Sequence, residues 1–382
     1  MINYGKQSLD KDDYKSVLKS LKSEKITQGS NINIFENSLK KKLKCKYAVS
    51  VSSGTAALHL IAKSLGWKKN DLILISSITF VASSSVALNL GAKVDFVDVN
   101  YEDGNISINS LIDKINFYKK KNKKIKTVVV TDYGGLPADW DKLYKLKKKL
   151  NFSIISDNCH SFGGKYKNQI NYQTKYSDAA ALSFHPVKHI TTGEGGAVIT
   201  NDNKIANKCN LLRSHGILRK KSFSPWIYKI KEPGFNYRMS DVNAALGISQ
   251  LKKINKFVKR RKEIAEIYNN FFSKFDVCKI PYFPTNKEHS YHLYPLLIDF
   301  KRINISKETF FKKLRKKKIN LQVHYIPIYK FDIFKNNRVN LKKLKNSELF
   351  FNNEVSLPIF YELKNKDVRN ICHQIKNLIT YK

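Results

Sequence analysis

The sequence predicts an α/β fold whose sheet is largely parallel and covered by helices on both faces, followed by a smaller α+β unit. Two patterns carry that expectation. From Tyr47 to Thr200 short β-rich runs alternate with helical stretches, the repeat of strand, crossover helix and parallel strand. Beyond about Phe275 the alternation gives way to HLYPLLID (His292–Asp299), a helix over 306–317, NLQVHY (Asn320–Tyr325) and a closing helix near 367–378. The domains are accordingly placed at residues 1–250, with an N-terminal arm, and 251–382.

The elements follow in order. Asp10 is a suitable N-cap for an amphipathic helix in which Tyr14, Val17, Leu18 and Leu21 fall at helical spacing, and the turn TQGS (Thr27–Ser30) ends it. Phe35, Leu39 and Leu43 mark a second helix. The strand runs are YAVSV (Tyr47–Val51), LILI (Leu72–Ile75), KVDFV (Lys93–Val97), TVVVT (Thr127–Thr131), FSIIS (Phe152–Ser156), AALSF (Ala180–Phe184) and GAVIT (Gly196–Thr200), the last followed by a helix over 202–213. Residues 214–239, with SPWIY and EPGFNYRM, lack a helical period and read as a long functional loop. Ser240 then caps a long helix that bridges the two domains.

Composition narrows the class. The formal charge of +39 comes from 70 Lys and Arg against 31 Asp and Glu. These lysines are spread through nearly every segment, whereas a nucleic-acid binder concentrates charge on one face or tail with interleaved aromatics, so no nucleic acid is expected as partner. The excess still suits a polyanionic small molecule such as a nucleotide. Five cysteines at 45, 159, 209, 278 and 372 form no CxxC pair and no zinc-spaced cluster, so reduced thiols and no metal are expected. A charged N-terminal stretch and the lack of any long apolar run predict a cytoplasmic protein without stable membrane association.

Ligands of such sheets gather at the C-terminal ends of the strands, so the loops after each run hold the informative residues. SSGTAAL (Ser52–Leu58) opens a helix, where Gly54, Thr55 and Ala56 place free backbone N–H groups and a hydroxyl suited to a phosphate. Phe80 offers an aromatic face after the second run. Asp157 ends the fifth, where a carboxylate can pair with a buried pyridinium nitrogen. SFHPVKHITTGEGG (Ser183–Gly196) sets Lys188 among hydroxyls and glycines, flanked by His185 and His189. A lysine attacks carbonyls only when burial or a nearby cation leaves some of its amine neutral. Each part alone has an ordinary reading as a surface charge, a capped helix, a core aromatic or a helix cap. GxGxxG and GxxxxGK loops are missing, which disfavours dinucleotide and P-loop chemistry. A phosphate cradle, a stacking aromatic, an acidic partner and a lysine are together what pyridoxal 5'-phosphate requires.

Eight ordered blocks carry a family resemblance: QSLDKDDYKSVLKSLKSEKITQG, YAVSVSSGTAALHLIAKSLG, ITFVASSSVALNLGAKVDFVDV, SDNCHSFGGKYKN, SFHPVKHITTGEGGAVITND, LLRSHGI, GFNYRMSDVNAALGISQLKKI and QVHYIPIY. Across nearly the full chain the sequence resembles the DegT/DnrJ/EryC1/StrS sugar-nucleotide aminotransferases. That resemblance implies a fold-type-I, aspartate-aminotransferase-like large domain and a homodimer with shared active sites. It implies that Lys188 holds the cofactor and shuttles the proton, that Asp157 pairs with the pyridine nitrogen, and that Phe80 stacks on the ring with His160 close beneath. Gly54, Thr55, Ala56 and Ser183 would bind the phosphate, with Asn236 arriving from the other subunit. Tyr4, Thr27, Gln28, Gly29, Arg238, Gln322, Val323, His324 and Tyr325 would line the sugar-nucleotide pocket. The implied reaction moves an amino group from L-glutamate to C4 of a UDP-linked 4-keto-6-deoxy-N-acetylhexosamine, with bacillosamine-, legionaminic- or perosamine-type nucleotides as alternatives. Some members carry histidine in place of the lysine and act as dehydratases; here Lys188 stands at that position and His189 follows it, which rejects that reading. Ser52, Ser30, YGGLPADW and KFDIF depart from the commoner forms and bear on the sugar more than on the chemistry.

Overall fold

The computed structural model describes residues 1–219, 226–282, 284–334 and 344–380. Helices α1 (Lys11–Leu21) and α2 (Ser30–Leu43) precede the sheet. Then come β1 (Tyr47–Val51), α3 (Gly54–Ser64), β2 (Leu72–Ser76), α4 (Ala82–Asn89), β3 (Lys93–Val97), α5 (Ile108–Lys120), β4 (Ile125–Thr131), α6 (Trp140–Leu150) and β5 (Ser153–Asp157). A short β6 (Lys165–Tyr166) and α7 (Tyr172–Tyr176) lead to β7 (Ala179–Ser183), β8 (Gly196–Thr200) and α8 (Asn203–Leu212). The seven long strands form one sheet in the order β1-β8-β7-β5-β4-β2-β3. The β7-β5-β4-β2-β3 block is parallel, and β8 runs antiparallel to both of its neighbours. The continuous apolar runs of β2 and β4 follow from burial on both faces: Ile73, Leu74, Ile75, Val128 and Val130 are all fully buried.

Because β8 is antiparallel, it starts where β1 and β7 end. Gly196 pairs with Val51 on one side and Ser183 on the other. A Cβ there would lie 2.5 Å from the Ser53 carbonyl carbon, so only glycine lets the loop after β1 close over the strand.

Two expected elements take a different form. The first helix is capped by Asp10 as predicted, but its apolar residues Tyr14, Leu18 and Leu21 are more than half exposed. Polar residues face inward instead: Asp13 accepts from Gln250 and Lys253, and Ser16 donates to the Ala245 carbonyl. The expected long loop contains a two-stranded hairpin, β9 (Ile217–Arg219) with β10 (Tyr228–Ile230); residues 220–225 of that stretch lie outside the described residues.

Helix α9 (Asp241–Phe272) runs from the large sheet into a second core. Its first residue also caps α2, since the buried Asp241 carboxylate accepts from the N–H groups of Gly29 (2.5 Å) and Asn31 (2.9 Å). The second core holds β11 (Cys278–Lys279), β13 (Tyr294–Ile298) and β14 (Glu354–Leu357) in the order β11-β13-β14, with β12 (Lys287–Glu288) paired back to β6. Helices α10 (Lys307–Lys316), α11 (Lys345–Asn353) and α12 (Asn365–Ile379) complete the chain. Ile328, Tyr329, Phe334 and Leu344 return to the large sheet, where Phe334 meets Phe96 edge to face.

Candidate active site

The C-terminal ends of β1, β5 and β7 lie together, with Gly54 after β1 packed against Ser183 at the end of β7 and Cys159 just after β5. Asp157 is the last residue of β5 and is buried; its carboxylate accepts from Cys159 N–H at 3.3 Å and from the Ser83 hydroxyl at 3.4 Å. Beside it, Ser53 caps α3 by accepting from the Ala56 N–H at 3.1 Å. The first N–H groups of that helix, on Gly54 and Thr55, are left outside the intrahelical ladder. Gly54 sits flush with Ser183, where a Cβ would meet the Ser183 Cβ at 3.0 Å and the Cys159 sulfur at 3.2 Å.

Lys188 lies in the loop between β7 and β8, turned back by a bond from its N–H to the His185 carbonyl at 2.9 Å. Its Nζ is 3.2 Å from Nε2 of His292. The His292 ring stands 4.6 Å from His160 and 5.7 Å from His189, so three imidazoles line this side of the amine. Nε2 of His160 meets the Tyr325 hydroxyl at 2.8 Å, and the Tyr325 ring lies 6.0 Å from Phe80, which is exposed at the mouth. Next to Tyr325, His324 packs against Tyr4 at 5.3 Å.

The electrostatics suit a nucleophilic amine. Burial pushes the Lys188 amine below the usual lysine range and Arg261 adds to that, while Cys159 and Asp157 oppose it. Burial likewise holds His160, His189 and His292 well below the usual imidazole range, so all three are neutral. Arg261, buried on α9, donates through Nη1 to the carbonyls of Tyr291 (3.0 Å), His292 (3.2 Å) and Ile359 (2.8 Å). Among the described residues it has no carboxylate partner.

Lys188, Asp157, His160, Ser183, Gly54, Phe80, Tyr4, His324 and Tyr325 are therefore brought together. Thr55 and Ala56 follow Gly54 in the first turn of α3, Thr55 exposed and Ala56 buried. Gln322 is exposed and Val323 partly buried at the edge of the same loop. Gln28, Gly29 and Arg238 line a hollow of about 210 Å³ with Arg213, and the exposed Thr27 pairs with Ser240 beside it. Asn236 is exposed two residues before Arg238, in a segment where the Tyr237 carbonyl accepts the Ser52 N–H at 2.9 Å. No described contact joins Asn236 or Arg238 to Lys188.

His292 and Arg261 are the residues that sequence reasoning missed. Arg261 left a signal, a charged residue within the buried stripe of Phe257, Val258, Ile264, Ala265 and Tyr268 on α9. His292 left none, since it lies 104 residues from Lys188 in sequence. His185 is exposed and His189 turns to the Ser290 carbonyl at 3.0 Å.

Free helix N–H groups against a serine, a buried carboxylate, a depressed amine and an exposed ring fit pyridoxal phosphate. The Gly54 cradle, which a side chain would fill, is the observation that decides the fit at the phosphate end.

A model of the DegT/DnrJ/EryC1/StrS aminotransferase family matches residues 7–376. A Campylobacter jejuni protein named UDP-4-amino-4,6-dideoxy-N-acetyl-β-L-altrosamine transaminase is 38% identical over 374 residues, covering 97% of this chain and 95% of that protein. The solved structure of Helicobacter pylori PseC, an aminotransferase involved in the biosynthesis of pseudoaminic acid, superimposes with a TM-score of 0.91 at 33% identity, covering 99% of each chain. The PLP form of a putative sugar aminotransferase, Spr1654 from Streptococcus pneumoniae, gives 0.88 at 25% identity, covering 99% of this chain and 98% of that one.

Proposed function

The chain belongs to the DegT/DnrJ/EryC1/StrS aminotransferase family and is a pyridoxal-phosphate-dependent sugar aminotransferase, and we propose that it aminates C4 of a UDP-4-keto-6-deoxy-N-acetylhexosamine, with L-glutamate as donor, in pseudaminic acid biosynthesis. The observation that carries this reading is the meeting of Lys188, Asp157 and the Gly54–Ser183 cradle at the ends of three strands. When bound, the cofactor supplies an electron sink for the carbon that loses its proton.

The chain's own residues do the rest. The N–H groups of Gly54 and Thr55 and the Ser183 hydroxyl bind the phosphate, aided by the start of α3. The Asp157 carboxylate, fixed by Ser83 and Cys159, holds a proton on the pyridine nitrogen. Phe80 and His160 enclose the ring. Lys188 Nζ, made less basic by burial, takes the proton from the donor carbon and returns it to the acceptor carbon. Tyr4 and the Gln322–Tyr325 segment form one wall of the sugar pocket. Asn236 and Arg238 serve the site of the other subunit, with Thr27–Gly29 beside them, in a homodimer; the exposed Tyr14, Leu18, Leu21, Ile26 and Ile34 supply apolar surface for its formation.

The test is an absorption spectrum of the loaded protein before and after L-glutamate, then with the UDP-4-keto-6-deoxy sugar of L-arabino configuration. Loss of the visible band with glutamate and its return with this sugar is the expected result. A response to glutamate without recovery would keep the aminotransferase and remove the sugar assignment.

A further inference from the structure

His324 is held at every polar atom but one. Its N–H donates to Oε2 of Glu354 at 3.0 Å, its carbonyl accepts from the Tyr133 hydroxyl, and Nδ1 lies 2.8 Å from the Ser356 hydroxyl. That hydroxyl in turn donates to Oε1 of Glu354 at 2.5 Å. All three residues are buried, with Glu354 and Ser356 at 0% and 1% exposure. Nε2 alone has no partner among the described residues, yet it is not among the atoms sealed from solvent. Its ring stands beside Tyr4 and Tyr325 at the wall of the cleft.

The direction of the chain follows from proton counting. Both Glu354 oxygens receive donors, so the Ser356 proton is committed to the carboxylate. The Ser356 oxygen then accepts, and the ring proton must sit on Nδ1. Burial holds the imidazole down at about 3, so it stays neutral and Nε2 carries a bare lone pair.

We propose that Glu354 and Ser356 are positioning residues that fix His324 Nε2 as a hydrogen-bond acceptor for the sugar nucleotide. This rests on the function proposed above. Such an acceptor meets an O–H or N–H donor, a sugar hydroxyl or the acetamido N–H. It does not hold the keto oxygen, which is itself an acceptor. Glu354→Gln reverses the chain: the amide oxygen keeps the His324 N–H, the amide N–H₂ turns to Ser356, and the serine donates to Nδ1. The ring proton moves to Nε2, and the site presents a donor where the ligand also brings one.

Two measurements test this on the full-length protein at about pH 8, above the value of about 7 to which burial pushes the Glu354 carboxyl against the opposing charge of Lys307. The first is ¹⁵N NMR of the His324 side chain. A protonated Nδ1 and bare Nε2 in the wild type, exchanged in Glu354→Gln, is expected; a wild-type Nε2–H overturns the proposal without reference to activity. The second compares two amines on the loaded enzyme by loss of the visible band, L-glutamate and the 4-amino-4,6-dideoxy-N-acetyl-β-L-altrosamine nucleotide. Glu354→Gln should weaken use of the sugar amine about tenfold or more relative to glutamate. Equal losses for both amines would make Glu354 a merely structural residue and end the proposal. A wild type that accepts glutamate but not this sugar removes the sugar assignment instead, and the NMR result then decides alone. Should Glu354→Gln not fold, Ser356→Ala removes the link and is expected to lose the fixed tautomer.

Discussion

Lys188 Nζ and His292 Nε2 stand 3.2 Å apart, the amine from the large sheet and the imidazole from the segment entering β13. His292 Nδ1 is buried without a partner among the described residues. An unpaired acceptor is tolerated better than an unpaired N–H, so the ring proton belongs on Nε2, where it donates to the amine once Lys188 has lost its proton. Such a bond fixes the direction of the Nζ lone pair. Replacing His292 with Leu should lower kcat about tenfold to a hundredfold, the usual cost of a misplaced reacting group, with a smaller change in the glutamate KM. Gln, whose amide reaches as far as Nε2, should restore much of the rate. Steady-state kinetics of both variants decide it; if Leu and Gln behave alike, the hydrogen bond is not what matters.

Arg261 gives a stability prediction. One guanidinium nitrogen joins three carbonyls, two from the segment that carries His292 and one from Ile359, whose N–H donates to the Tyr4 carbonyl. Arg261→Met strands all three acceptors but also removes a buried charge. The first effect should win, with a net loss of about 2–4 kcal/mol in urea unfolding. A variant as stable as the wild type would show that desolvation of the cation cancels its bonds.

These two residues also mark how far the sequence could be read. Strands β1, β3 and β8 are where their short β-rich runs placed them, because a strand's residue pattern is local and needs no partner to recognise. Asp157 and Lys188 were legible because a strand end and a glycine-rich loop are local features. Tyr14, Leu18 and Leu21 had helical spacing but not inward direction, since α9 meets α1 through polar groups such as Asp13 and Ser16. The hairpin of β9 and β10 hid because strands this short carry too few residues to show alternation. His292 reaches Lys188 only through the packing of two distant segments, which no local pattern encodes.

Acid should unfold the protein steeply. Burial pushes His289 and His324 down to about 3 and holds His160, His189 and His292 well below the usual range. Each is neutral when folded and takes a proton when unfolded below about pH 6.5. The unfolded state then binds more protons, so stability falls as pH drops from about 6.5 toward the folded values. Each imidazole contributes about 1 kcal/mol per pH unit in that window, and five together rival the whole stability of a typical domain. His289→Asn retains an acceptor for the Tyr291 N–H and should lower the slope by about a fifth in urea titrations between about pH 5 and 7. An unchanged slope would mean that His289 does not titrate across unfolding.

Whether Asn236 and Arg238 serve the site of a partner subunit can be read from mixed dimers. Within one chain Arg238 lines a hollow apart from Lys188, and the segment that carries both residues meets the loop after β1 through the Tyr237 carbonyl and the Ser52 N–H, and α3 through the Tyr237 hydroxyl and His59. Lys188→Ala and the double variant Asn236→Ala/Arg238→Ala should each be inactive alone. Refolded or co-expressed together, they form hybrids in which both lesions fall in one site and the other site is intact. About half of the dimers are then hybrids with one working site of two, so about a quarter of the wild-type activity should return. A site built within one chain would leave every site in the mixture with a lesion, and the activity would stay at the level of the separate variants.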